Sequence, residues 1–212
     1  MIKIAPSILA ADVLNLERDV RRMTEAGCDW LHVDVMDAHF VPNLAYTPET
    51  VRRLKETFQT PLDVHLMMDQ PERYLDAFLD AGADILTVHA EVEGDVGAML
   101  DRIRGRGVLA GLAVKPGTGI DAVTPFLDRA DMILTMTVEP GFGGQKLNER
   151  VIGKIAELRA MGYAGEIEAD GGLKEDNLRS LTEKGLSVAV MGTALYRAED
   201  PAAMMRRLRA MG

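Results

Sequence analysis

The sequence predicts an α/β fold: a single-domain (β/α)8 barrel of the TIM type with eight parallel strands. Three observations predict it. Short apolar strand patterns alternate strictly with helical patterns along the 212 residues, and that alternation implies a parallel sheet. The strand–helix units number eight and are evenly spaced, which implies closure into a barrel. No linker, low-complexity run or shift in composition interrupts residues 1–212, so they read as one domain. An open doubly wound sheet is the competing architecture, and eight even units count against it.

The elements follow in order. Residues 2–9 form the first strand, with Pro6 at a bend or strand end. Asp12 caps a helix whose apolar positions Leu14, Leu16, Val20 and Met23 recur at helical spacing, and Gly27 ends it. The second strand is 30–36, followed by a long loop, 37–47. Pro48 opens a helix that runs to about Phe58. The remaining strands are expected at 62–67, 85–89, 109–114, 132–138, 166–170 and 188–191. Helices are expected at 71–82, 94–104, 120–128, 147–161, 175–184 and 201–210.

Composition narrows the function. The net charge of −9 argues against nucleic acid or an anionic membrane as a partner. It leaves room for a phosphate pocket, because backbone N–H groups bind anions without Lys or Arg. No apolar run is long enough to span a bilayer, and the N-terminus lacks a signal-peptide pattern, so a cytoplasmic protein is expected. The single cysteine, Cys28, excludes an internal disulfide and a Cys-rich metal site, and reads as a small buried filler rather than a nucleophile.

Barrel enzymes work at the C-terminal ends of their strands. In Leu31-His32-Val33-Asp34-Val35-Met36-Asp37, His32, Asp34 and Met36 share one face of a strand. Alone, that face is either half-solvated or the wall of a polar site. His65 and Met67 repeat the spacing on the third strand, and Asp170 ends the seventh. Together, His32, Asp34, His65 and Asp170 form a donor set suited to one divalent cation, Zn²⁺, Fe²⁺, Mn²⁺ or Co²⁺. Gly141-Phe142-Gly143-Gly144, Gly171-Gly172 and Gly192-Thr193 follow three successive strands. Each is a tight turn or part of a phosphate cradle, and three in adjacent units favour the cradle.

The expected substrate is a small phosphorylated molecule whose other end reaches the metal. Asp34 and Asp170, expected on roughly opposite sides of the mouth, suit a two-base proton transfer that inverts a stereocentre α to a carbonyl. Met36, Met67 and Met136 either pack the mouth or line the enediolate with groups that cannot protonate it. His89 reads as a core histidine or as support for the site.

These segments resemble the ribulose-phosphate 3-epimerase family. The carriers are Ile4–Asp12, His32–Asp37 with His39–Asn43, Asp63–Met67, Val138–Gln145 and Asp170–Gly172, collinear over essentially the whole chain. The resemblance implies His32, Asp34, His65 and Asp170 as metal ligands, with Asp34 and Asp170 as the acid/base pair. It implies substrate contacts from Ser7, His65, Asp170 and the Gly141–Gly144 loop, and a phosphate end at Gly171, Gly172, Gly192 and Thr193. It further implies interconversion of D-ribulose 5-phosphate and D-xylulose 5-phosphate, with one divalent ion per subunit. Such barrels commonly self-associate, so a homo-oligomer is expected.

The chain departs from the family pattern at Ala38, where Gly is usual, at Ala169 for Val, and at Thr193 for Ser. Ala38 could reshape the pocket lid. The competing readings are a D-allulose-6-phosphate 3-epimerase, a phosphosugar lyase or aldolase, and a non-catalytic sugar-phosphate binding barrel.

Overall fold

Strand β1 (Lys3–Pro6) pairs in parallel with β9 (Val188–Met191), and β9 with β8 (Glu166–Asp170). The computed structural model, covering residues 1–212, continues this ring through β7 (Met132–Met136), β6 (Leu109–Val114), β5 (Ile85–His89) and β4 (Leu62–Met67) to β2 (Leu31–Asp37). A parallel bridge between Ser7 and His32 and a hydrogen bond from Asp29 N–H to the Ile4 carbonyl (3.0 Å) bring β1 to β2 and close the ring. The eight parallel strands stand where the sequence pattern puts them. The ninth, β3 (Leu44–Ala45), is a two-residue antiparallel addition to the end of β2. It falls in the loop expected at 37–47 and is too short for a periodic signal.

The helices are α1 (Leu16–Glu25), α2 (Pro48–Thr57), α3 (Leu75–Ala81), α4 (Val96–Gly105), α5 (Gly153–Ala160), α6 (Leu178–Thr182), α7 (Thr193–Tyr196) and α8 (Pro201–Arg209). Their starts are set by local chemistry. Thr47 and Thr50 form a capping box with Pro48 in the first turn of α2, while Asp95 and Asp200 accept the Ala98 and Ala203 N–H groups, each at 2.9 Å. Asp12 caps a single 3₁₀ turn that precedes α1.

Several expectations are corrected. The helices expected at 71–82 and 147–161 each open with a 3₁₀ turn and become α-helical only at Leu75 and Gly153. The segment 120–128 is two 3₁₀ turns, because Pro125 removes a helix donor. The helix expected at 175–184 shrinks to α6. The chain beyond Pro6 leaves the first strand for a 3₁₀ turn at Ile8–Ala10. In addition, α7 is a four-residue helix that no periodicity announced.

Residues of β2, β4 and β8 alternate between two environments. Leu31, Val33, Val35, Leu62, Val64, Leu66, Ile167 and Ala169 join the large core between sheet and helices. The residues between them face the barrel interior. Ala5, Trp30, Ile85, Met132, Val188 and Val190 form a separate apolar cluster there, which floors the barrel and reaches the cavity at Val190. No helix is long and apolar enough to cross a membrane.

Candidate active site and metal centre

A cavity of about 950 Å³ opens at the C-terminal ends of the strands. Of the residues picked out as site residues, Ser7, Asp34, Met36, Met67, Met136, Gly141, Phe142, Gly143, Gly144, Asp170, Gly171, Gly172, Gly192 and Thr193 all line it. The exceptions are His32 and His65, both fully buried in the wall beneath it.

The four expected ligands converge. One donor atom each from His32, Asp34, His65 and Asp170 lies within 4.8 Å of the others. Asp34 is central: its Oδ1 is 3.3 Å from His32 Nε2 and 3.4 Å from His65 Nδ1, and its Oδ2 accepts the Ser7 hydroxyl at 2.6 Å. Both imidazole nitrogens are buried without a hydrogen-bond partner. Buried polar atoms are nearly always paired. Two orphaned nitrogens aimed at one carboxylate therefore fit a cation ligand set, and the mixed N/O donors fit a borderline divalent ion.

The geometry refines one expectation. Asp34 and Asp170 are not diametrically opposed: only β1 and β9 stand between their strands. They stand three strands apart around the eight-stranded ring, with one carboxyl oxygen of each within 4.8 Å of the other, close enough to act on one small ligand from two directions.

Their environments push them apart. Burial raises Asp170 to about 7, with the Asp34 charge adding to the effect. Burial acts on Asp34 in the same sense, but His32 and His65 outweigh it and hold that carboxyl far below the ordinary range. Burial opposes charge on His32, but Asp63 and Asp34 lift its pKa well above the ordinary value. Burial lowers His65.

Several supporting residues escaped the sequence reading. Asp63 bonds His32 Nδ1, and Glu168 Oε1 stands 3.9 Å from the same nitrogen. His89, left open between core and support, has its Nε2 2.8 Å from His65 Nε2. The signal was available: Asp63 and Glu168 sit two residues before His65 and Asp170, on the same strand faces. Lys146, Lys174 and Arg197 also line the cavity, exposed beside the glycine loops.

The loops are tied down by hydrogen bonds and close backbone approaches. The Thr137 hydroxyl lies 2.8 Å from the Asp170 carbonyl oxygen and 2.6 Å from that of Gly171. Gln145 Nε2 donates to the Glu139 and Phe142 carbonyls, at 2.7 and 2.8 Å. Gly171 (φ 118°) and Gly172 (φ 69°) admit no other residue: a Cβ would stand 2.3 Å from Val138 Cγ2 at the first and 2.3 Å from Leu147 N at the second. Met36, Met67 and Val41 pack as one cluster under Phe40, and Met136 packs with Ala113 and Leu134. Cys28 is half-buried, and burial pushes its thiol up to about 12, in keeping with a filler role.

Comparison with known proteins decides the kinship. The profile of the Ribulose-phosphate 3 epimerase family matches residues 3–196. This chain belongs to the ribulose-phosphate 3-epimerase family. Among curated family members, the ribulose-phosphate 3-epimerase of Mycobacterium tuberculosis is 44% identical over 97% of this chain and 91% of its own. That of Schizosaccharomyces pombe is 41% identical over 98% and 92%. Among solved structures, 3-keto-L-gulonate-6-phosphate decarboxylase from Vibrio cholerae superposes with a TM-score of 0.79 over 99% of this chain and 96% of its own, at 16% identity. That likeness speaks for the barrel alone. Against the family pattern, Ala38 has a left-handed backbone (φ 62°), the conformation that a glycine adopts freely. It is exposed and does not line the cavity, so the lid is not reshaped by its methyl group.

Proposed function

We propose that the protein inverts C3 of a ketopentose phosphate, interconverting D-ribulose 5-phosphate and D-xylulose 5-phosphate. The carrying observation is the pair Asp34 and Asp170: two carboxyl groups in one mouth, one held ionised and the other raised to about 7. Carboxyl groups driven apart in this way suit a base and an acid. Asp34 takes the C3 proton on one face, Asp170 delivers a proton to the other, and the reverse reaction exchanges the roles. Proton transfer of this kind contributes about 10²–10⁴-fold.

His32, Asp34, His65 and Asp170 would hold the divalent cation, which would supply the positive charge that makes the C3 proton acidic. Ser7, bonded to Asp34 Oδ2, fixes that carboxylate and reaches the substrate. Met36, Met67 and Met136 exclude water without offering a proton. Backbone N–H groups at Gly171, Gly172, Gly192 and Thr193 take the phosphate, together with the Gly141–Gly144 loop and its exposed Phe142. Lys146, Lys174 and Arg197 add positive charge at that end.

The cavity is large enough for a further carbon, which keeps D-allulose 6-phosphate as the second reading. A coupled assay separates them, run on chelated protein and after addition of Zn²⁺, Fe²⁺, Mn²⁺ or Co²⁺. The expected result is a metal-dependent preference for D-ribulose 5-phosphate, with solvent deuterium entering at C3. Preference for the hexose phosphate would move the substrate and keep the chemistry. Turnover without deuterium entry at C3 would point to lyase chemistry. No turnover with any metal would overturn the proposal in favour of a binding barrel.

A further inference from the structure

Behind His65 stands a line of groups that the proton transfer does not use. His65 Nε2 is 2.8 Å from His89 Nε2. His89 Nδ1 is 3.1 Å from Glu91 Oε2, and the other Glu91 oxygen accepts the Lys115 N–H at 2.7 Å. Both imidazoles are fully buried. The Phe40 ring covers His89, with centroids 4.7 Å apart, and the Lys115 ammonium sits 3.6 Å from the Phe40 centroid.

The direction of this chain follows from its last member. A carboxylate only accepts, and a neutral imidazole has one N–H and one lone pair. Glu91 therefore places the hydrogen of His89 on Nδ1 and leaves a lone pair on Nε2. Only the Nε2–H of His65 can fill it, which leaves His65 Nδ1 bare. That is the nitrogen that faces Asp34 Oδ1 and has no hydrogen-bond partner. The opposite direction would turn an N–H toward Asp34 and leave His65 with no lone pair to offer the site.

We infer that Glu91 and His89 are positioning residues that set the tautomer of His65, so that its Nδ1 lone pair faces the metal site. The inference rests on the reading of His65 as a metal ligand. His32 gives an independent parallel. Asp63 occupies its Nδ1, and the orphaned nitrogen aimed at Asp34 is Nε2. The two histidines thus approach one carboxylate through opposite ring nitrogens, and in each case the ring nitrogen turned away from it has a side-chain partner. Support of this kind orients ligands in metal sites generally.

The test uses the full chain labelled with ¹⁵N-histidine. It has four histidines, so the ring signals are readily assigned. The tautomer of His65 is read after chelation, and Zn²⁺ affinity by competition with a chelator. In the wild type the expected tautomer is Nε2–H. Glu91→Gln keeps the shape but can donate as well as accept, as the Asn in place of the triad Asp does in serine proteases. A population of His65 carrying Nδ1–H is expected, with Zn²⁺ affinity reduced about 10–100-fold. His89→Leu is expected to lose affinity similarly. His89→Gln, whose amide oxygen can accept from His65 Nε2, is expected to restore affinity to within a few-fold of wild type.

An unchanged tautomer and affinity within twofold in Glu91→Gln would overturn the inference, and this variant decides alone if His89→Leu does not fold. His65→Ala separates the two levels. If it abolishes Zn²⁺ binding while Glu91→Gln has no effect, only the tautomer argument fails. If Zn²⁺ binding is indifferent to His65→Ala, the metal reading fails and the inference with it.

Discussion

The floor and the mouth of this barrel are built by the same strands, a few residues apart, under opposite rules. At the floor, Ala5, Trp30, Ile85, Met132, Val188 and Val190 pack side chain against side chain, with Lys3 paired to Glu166 and its ammonium 4.8 Å from the Trp30 ring centroid. At the mouth, His32, Asp34, His65 and Asp170 crowd four titratable groups together, and two of their nitrogens lack partners. The floor contributes stability through apolar burial, roughly 25 cal/mol per Å². The mouth gives up stability, since an unpaired buried polar atom costs about 1–3 kcal/mol. The difference teaches that the same scaffold separates holding together from reacting by height along the strands, so the two ends should respond to mutation in different observables.

The sharpest contrast is Asp170→Asn. Turnover is expected to fall about 10²–10⁴-fold, because the proton-delivering group is gone. Stability should hold or rise, because a buried carboxyl group raised to about 7 is replaced by a neutral isostere. Steady-state kinetics and thermal melting on one sample check both halves. Near-normal turnover would sink the two-base assignment, and a large loss of stability would erase the contrast between the ends.

The floor should behave in reverse. Trp30 is only 7% exposed, and Trp30→Ala is expected to cost about 3–5 kcal/mol in denaturant unfolding. Under conditions where the variant stays folded, KM for the ketose phosphate should be unchanged. A raised KM would mean that the floor reaches the mouth.

Much of this contrast is legible in the sequence, for a definite reason. Side chains two apart on a strand share a face, so His32-x-Asp34-x-Met36 and His65-x-Met67 announce an inward polar wall before any coordinate is known. The fold adds what one strand cannot state, namely its register with its neighbours. Asp34 pairs with His65, and Met136 with Asp170. His89 acquires its partner only because β5 lies beside β4. The 3₁₀ turns at 120–126 and the short α7 were not legible, because neither is long enough to show a helical period.

Metal removal tests the mouth without a mutation. If the orphaned nitrogens of His32 and His65 are ligands, a cation present at a hundred times its Kd stabilises the fold by about 2.7 kcal/mol. At roughly 2–4 °C per kcal/mol for a chain of this size, chelation should lower the melting temperature by roughly 5–11 °C, reversed by Zn²⁺. His65→Ala should abolish the shift. Trp30→Ala should keep it, because the floor holds none of the ligands. A shift that survives His65→Ala would place the cation elsewhere.

The smallest effect lies at the edge of the mouth, where β2 turns back through β3. Ala38 holds φ at 62°, and its N–H donates to the Asn43 carbonyl at 2.9 Å. Asp37 closes the same turn, its Oδ1 accepting the His39 and Phe40 N–H groups at 2.8 and 2.9 Å. A left-handed backbone costs an L-residue about 1–2 kcal/mol. Glycine would remove that cost but add about 0.5–1 kcal/mol of unfolded-state entropy. Ala38→Gly is therefore expected to stabilise the protein by about 0–1.5 kcal/mol, with kcat/KM within twofold of wild type, since Ala38 is exposed and does not line the cavity. A clear destabilisation would show that the alanine is favoured through the unfolded chain. A change in the pentose-to-hexose preference would show that this turn, and not the glycine loops alone, sets the shape of the mouth.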